Sequence, residues 1–300
     1  MFEMGVLDLL TQETIGFACL PKANSAWILL GIPFDSTTTY KPGTRFAPDS
    51  VRSASCNLEF YSLLTGLILE DERINDLGNL VLPPGEVEKS LRIIEDAVRE
   101  LRGLYPDTLP IFIGGEHLIT YPIVKAFDKT IDTLVVFDAH LDLRSEYLSS
   151  KYNHATFLRR IVEELDSNVL HIGSRAYSKD ELDYVKSSGV KVFNILESKD
   201  LEAVGKEFEN LGRTYVSLDF DVIDPAYAPG VGNPEPLGMD PLTLLKVIRK
   251  IFESNNKVMG FDLVEVNPLV DVNDVTSALA GKIILEVMAM DKAFRNTKWL

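Results

Sequence analysis

The sequence predicts an α/β fold, with a mainly parallel β-sheet and helices packed on both faces. Three observations carry this. Short apolar runs alternate along the chain with longer segments of helical period, as strand–helix–strand units require. No internal repeat, low-complexity tract or linker interrupts the alternation, so the 300 residues read as a single domain, 1–300. The conspicuous polar residues fall just after strand-like runs, and ligands of such sheets sit beyond the carboxyl ends of the strands.

Taken in order, Ala26 to Ile32 is a short apolar run and reads as the first buried strand. Phe34 to Arg52, rich in Thr, Pro and Gly, reads as a long ordered loop, and Leu67 to Leu77 as a poorly defined strand. Glu86 to Gly103 is helical, with Val87, Leu91, Ile94, Val98 and Leu101 at helical spacing and Gly103 able to close it. Pro110 to Ile113 is a strand, followed by a tight loop, Gly114-Gly115-Glu116-His117. Thr133 to Phe137 is an apolar, β-branched strand, and His154 to Leu165 an amphipathic segment. Val169 to Gly173 and Val190 to Phe193 are strands, separated by a helix near Ser178 to Ser187. Leu201 to Leu211 is helical, and Tyr215 to Leu218 is a strand. Asp240 to Phe252 is a helix, Lys257 to Val264 the last strand, and Asn273 to Met290 a final helix capped by Asn273.

Composition narrows the function. A hydrophobic content of 46% and a charged content of 25% suit a globular protein. The net charge of −15 argues against nucleic acid, which calls for a basic footprint, and suits a small cationic substrate. The two cysteines, Cys19 and Cys56, have no partner at metal spacing and make no disulfide framework. The N-terminus lacks the pattern of a signal peptide and no apolar run can span a bilayer, so no membrane association and a cytoplasmic location are expected.

The chemistry concentrates in TLVVFDAHLDLR, Thr133 to Arg144. If the strand continues, Asp138, His140 and Asp142 leave the same face. Like charges that close raise one another's pKa unless a cation neutralises them, so a metal is the natural occupant. The other strand ends supply His117, then Asp219 and Asp221, then Glu265. Each alone has an ordinary explanation as a cap, a turn residue or a satisfied histidine. Together they form a set too large for one ion and suited to two bridged by shared carboxylates. The set is oxygen-rich and free of thiolate, which favours manganese and leaves zinc, iron and cobalt as alternatives.

These residues resemble the ureohydrolases, the family of arginase and agmatinase. The likeness rests on Gly114-Gly115-Glu116-His117, Asp138-Ala139-His140-Leu141-Asp142, Ser217-Leu218-Asp219-Phe220-Asp221 and Asp224-Pro225, and runs from about Gly31 to the last helix. It implies a single-domain, three-layer αβα arginase-like fold with about eight mainly parallel strands. It also implies two Mn(2+) per subunit, assembly as a homotrimer or homohexamer, and hydrolysis of a guanidino group to urea and an amine by a metal-bridging hydroxide. Position by position, His117, Asp138, Asp142 and Asp219 match the ligands of one metal. His140, Asp138, Asp219 and Asp221 match those of the other. Glu265 matches the carboxylate that holds the guanidinium, and His154 a histidine that shuttles a proton to the leaving amine. Asp142 is a second candidate for proton transfer. Of the four histidines, His171 alone falls outside these motifs and reads as structural.

The segments TTYKPGTRFAPDSVR and DPAYAPGVGNPEPLG look more like agmatinase than arginase, which implies agmatine as the substrate. Leu141, Ala155, Asn233 and Leu237 depart from the family's usual residues, and Asn233 and Leu237 lie where they bear on substrate choice. Arginine, guanidinobutyrate and aminopropyl-agmatine are the alternative substrates, and a non-catalytic metal-binding homologue is the alternative of another class.

Overall fold

The computed structural model describes residues 5–165, 167–254 and 256–295. Its strands are β1 (Thr11–Gln12), β2 (Trp27–Ile32), β3 (Asn75–Leu80), β4 (Leu109–Gly114) and β5 (Thr133–Phe137), then β6 (Asn168–Ser174), β7 (Lys191–Asn194), β8 (Arg213–Asp219) and β9 (Lys257–Val264). They form one nine-stranded sheet in the order β1-β3-β2-β4-β9-β8-β5-β6-β7. From β3 across to β7 every pairing is parallel. The ninth strand, beyond the expected eight, is β1, a two-residue antiparallel edge on β3. Thr11-Gln12 is polar and too short for any hydrophobic period to reveal.

The helices are α1 (Val6–Leu10), α2 (Ala47–Ser55), α3 (Val87–Leu104), α4 (Thr120–Ala126) and α5 (Phe157–Glu164), then α6 (Lys179–Ser188), α7 (Leu201–Glu207), α8 (Pro241–Glu253) and α9 (Val275–Arg295). Successive residues of each central strand belong to two different cores. Val135, Phe137, Val216 and Leu218 pack with α8 and α9 on one face. Leu134, Val136, Ile28 and Phe112 pack with α3, α4 and α5 on the other. Burial on both faces is why these strands read as unbroken apolar runs.

Several local expectations are corrected. The strand sought in Leu67 to Leu77 begins only at Asn75, because β3 buries polar side chains. Arg52 donates to Asp76 at 2.8 Å through both Nε and Nη2, and to Asn79 Oδ1 at 2.7 Å. Gly103 lies inside α3, which continues to Leu104. Asn273 does not cap α9: it has φ 50°, and the acceptor is Asp271, whose carboxylate takes the N–H groups of Thr276 and Ser277 at 2.9–3.1 Å. Asp240 and Ser178 do cap their helices, Asp240 through Thr243 N–H at 2.9 Å and Ser178 in a capping box with Glu181.

The cysteine expectation is also corrected. Cys19 and Cys56, 37 positions apart, form a disulfide. It joins the short turn Phe17–Cys19 to the end of α2, a tertiary proximity that cysteine spacing cannot show. Among the described residues no helix is long and apolar enough to cross a membrane.

Candidate metal centre

Strands β4 and β5 are consecutive in the chain but stand apart in the sheet, with β9 and β8 between them. This reversal of strand order opens a crevice at the carboxyl ends of four adjacent strands. The expected ligands and Glu265 stand at the ends of those four strands, and His154 lies further on, in the turn into α5.

After β4 the chain turns through Gly115, where space is the constraint. A Cβ there would lie 1.9 Å from the Phe34 carbonyl oxygen. Glu116 N–H donates to that oxygen at 2.7 Å, and Glu265 N–H donates to the Gly115 carbonyl at 2.8 Å. His117 then begins the turn into α4, buried and stacked on Phe157 with ring centroids 4.0 Å apart.

The residues after β5 converge, but not as an extended strand. β5 ends at Phe137, His140 N–H donates to Asp138 Oδ1 at 2.6 Å, and Asp142 has φ 50°. A turn, not a two-residue period, brings Asp138, His140 and Asp142 together. Asp219 and Asp221 behave alike: Asp219 ends β8 and accepts Asp221 N–H at 2.8 Å across a tight turn. Short polar side chains that bond to the backbone two residues on favour such turns.

All six expected ligands therefore meet. His117 Nδ1 lies 3.0 Å from Asp138 Oδ2, 3.0 Å from Asp219 Oδ2 and 3.6 Å from Asp142 Oδ2. His140 Nδ1 lies 2.9 Å from Asp221 Oδ2 and 3.6 Å from Asp138 Oδ1. Two groups able to hold an ion result, His117/Asp138/Asp219 and Asp138/His140/Asp221, and Asp138 is common to both.

The electrostatics ask for cations. Burial and then the charge of Asp138 push Asp142 well above the carboxylate range. Burial, with Asp221 and Asp138 next in effect, does the same to Asp219. Burial would lower His117, but the carboxylates led by Asp138 drive it up to about 9. Protons on these groups thus do what divalent ions would do better. His117 Nδ1 and Asp138 Oδ2 lie buried 3.0 Å apart yet make no well-aligned hydrogen bond among the described residues, as atoms facing an ion would. Imidazole and carboxylate, without thiolate, are donors that suit a hard or borderline divalent metal.

Glu265 follows β9 with φ 66° and is buried, and its Oε1 accepts His117 N–H at 2.9 Å. Burial, with Glu116 nearby, pushes it up to about 8, so it too would gain from a cationic partner. A Cβ at Gly232 would stand 3.5 Å from Glu265 Oε2, so the absent side chain leaves that oxygen approachable.

His154 lies outside the two ligand groups. Thr37 Oγ1 accepts its N–H at 3.0 Å, and Thr39 Oγ1 lies 3.0 Å from its Nε2. Burial, and then the charges of His140 and His117, hold it down at about 4. Glu116 ties this loop to the metal loop, accepting Thr37 N–H at 2.9 Å and the Thr38 hydroxyl at 3.0 Å. Asn233 Nδ2 lies 3.0 Å from His140 Nε2, within reach of the site. Leu237, by contrast, is 79% exposed with φ 66°, a backbone shape that favours glycine.

Sequence reasoning missed Thr37, Thr39 and Asp262, and gave no role of their own to Glu116 and Ser217, which stand inside its motifs. Ser217 hydrogen-bonds His117, and Asp262 lies behind it. A charged residue inside an apolar strand was the available signal for Asp262.

The sequence profile of the arginase family matches residues 25–290. The chain is 37% identical over 265 residues to an agmatinase of Bacillus cereus, covering 87% of this chain and 90% of that protein. It is 34% identical over 279 residues to the N(1)-aminopropylagmatine ureohydrolase of Thermococcus kodakarensis, covering 92% and 95%. The crystal structure of agmatine ureohydrolase from Thermoplasma volcanium superposes with a TM-score of 0.84 at 35% identity, covering 96% of this chain and 97% of that one.

Proposed function

Because the chain belongs to the arginase family of ureohydrolases, we propose that it hydrolyses agmatine, with one water, to putrescine and urea. The observation that carries this reading is the buried Asp138 carboxylate shared between two imidazole–carboxylate groups. In this reading His117, Asp138, Asp142 and Asp219 hold one manganese ion, and His140, Asp138, Asp219 and Asp221 the other. The pair supplies Lewis acidity and lowers the pKa of water by several units.

The chain's own residues do the rest. Glu265 orients the guanidinium through charge-assisted hydrogen bonds, placing its carbon for attack. Asp142 takes a proton as the tetrahedral carbon collapses. His154, neutral at pH 7, takes up a proton and passes it to the leaving amine. The net charge of −15 favours approach of a doubly cationic substrate such as agmatine. A homotrimer or homohexamer in the cytoplasm belongs to the same reading.

Asn233 beside His140, and the likeness to an aminopropylagmatine ureohydrolase, favour a second reading in which a longer guanidino substrate is used. Urea release from manganese-loaded protein should be measured on agmatine, arginine, guanidinobutyrate and aminopropyl-agmatine. Agmatine is expected to give the highest kcat/KM. Equal rates on arginine would overturn the agmatine assignment. No urea from any of them, with both ions bound, would identify a non-catalytic homologue.

A further inference from the structure

Behind His117 lies a buried carboxylate that the proposed chemistry does not use. Asp262, in the middle of β9, is wholly buried and sits opposite Ser217 of β8 in the sheet register. Three hydroxyls converge on it. Ser217 donates to Oδ1 at 2.6 Å, while Tyr215 and Thr120 donate to Oδ2 at 2.9 and 3.0 Å. Ser217 Oγ also lies 3.0 Å from His117 Nε2.

A hydroxyl has one proton to give. The short bond to Asp262 takes that of Ser217, so towards His117 the hydroxyl acts only as an acceptor. In the neutral imidazole, the form that binds a metal, Nε2 must then carry the hydrogen, and Nδ1, which faces Asp138, Asp142 and Asp219, keeps its lone pair for an ion held among those carboxylates. The stacked Phe157 ring holds the imidazole plane at the same time. We propose that Asp262 is a positioning residue which, through Ser217, fixes the tautomer and direction of His117 so that Nδ1 faces the ion.

This inference rests on the reading of the cluster as a metal centre, and the test separates the two. An outer carboxylate that orients a ligand histidine is worth about 10–100-fold in metal affinity. Asp262→Asn keeps the shape but can offer an amide N–H to Ser217. The serine proton then turns to His117 Nε2 and leaves the hydrogen on Nδ1, where it blocks ligation. Calorimetric titration of metal-free protein with Mn(2+) should show one ion bound about 10–100-fold more weakly in Asp262→Asn, and a smaller loss in Ser217→Ala. Ser217→Thr, which keeps the hydroxyl, should restore most of the affinity. The thermal midpoint of the metal-free protein controls for a purely structural effect. Long-range 1H–15N spectra of the Zn(2+)-loaded wild type should show hydrogen on His117 Nε2. Should Asp262→Asn fail to fold, Ser217→Ala carries the test.

Wild-type affinity for both ions in Asp262→Asn and Ser217→Ala, or hydrogen on His117 Nδ1 in the loaded protein, would overturn the inference. A wild type that takes up no ion would overturn the metal-centre reading and this inference with it.

Discussion

Replacing Gly115 by alanine tests whether the site depends on the tight turn after β4. The added methyl would lie 1.9 Å from the Phe34 carbonyl oxygen, 2.7 Å from its carbon and 2.8 Å from its nitrogen. Ordinary contact begins near 3.4 Å, so the chain must open by about 1.5 Å. The obstacle is backbone, so no side-chain rotation relieves it. Gly115 does not have a positive φ, so space alone sets the penalty. The displaced segment carries Glu116 and His117, and the same turn anchors Glu265 through its N–H. Overpacking of this kind costs about 1–3 kcal/mol of stability, and a shift of about 1 Å at reacting groups costs about 10²-fold in rate. The expected result for Gly115→Ala is a lower thermal midpoint, weaker manganese binding and urea release reduced about 100-fold. Gly103→Ala is the control: nothing lies within 4 Å of its added methyl, in the last turn of α3. It should leave kinetics unchanged and add about 0.5–1 kcal/mol of stability. Gly115→Ala with wild-type rate and metal content would refute the reasoning.

Asp138→Asn removes the carboxylate common to both ligand groups and should empty both metal positions, read as manganese per subunit after dialysis. Loss of one ion alone would show that Asp138 is not shared. His154→Ala should keep metal content near wild type while lowering turnover by about 10²-fold or more, because His154 lies outside both groups. An emptied site in that variant would assign His154 a ligand or structural role instead. His171 is wholly buried, and burial holds its imidazole below the usual range. The unfolded chain takes up a proton below about 6.5 that the folded chain refuses, so stability present above that pH is lost as pH falls below it. His171→Leu should flatten the fall in thermal midpoint between pH 7 and pH 5; an unchanged slope would show that His171 does not set it.

Which residues converge was more legible than the backbone that brings them together. His117, Asp138, His140, Asp142, Asp219 and Asp221 stood out because ionisable residues directly after buried strands are hard to explain otherwise. The reason first given for their convergence was an extended backbone, and the structure replaces it with turns, marked by φ 50° at Asp142 and the Asp219–Asp221 hydrogen bond. Side-chain period cannot report a left-handed residue. β3 was misplaced because its buried Asp76 and Asn79 are satisfied by Arg52, a pairing made across more than twenty positions. The Cys19–Cys56 bridge and the Ser217–Asp262 bond are likewise tertiary facts. Lys257 to Val264, apolar and bounded, was legible to the residue.

The strand order also governs how the molecule comes into being. Until residue 213 has been made, β4 and β5 have no neighbour between them, and each shows a bare parallel edge. The closing pair, β8 and β9, slots into that gap from the last third of the chain, pairing Phe261 with Ile111 across 150 positions and Thr214 with Thr133 across 81. Such distant pairing is slow, and an ion that prefers the finished pocket can only reward its completion. Pulse-labelled hydrogen exchange during refolding should find the amides of β9 protected after those of β2 and β6. Early protection of β9 would mean that the middle of the sheet zips up first and the flanks follow.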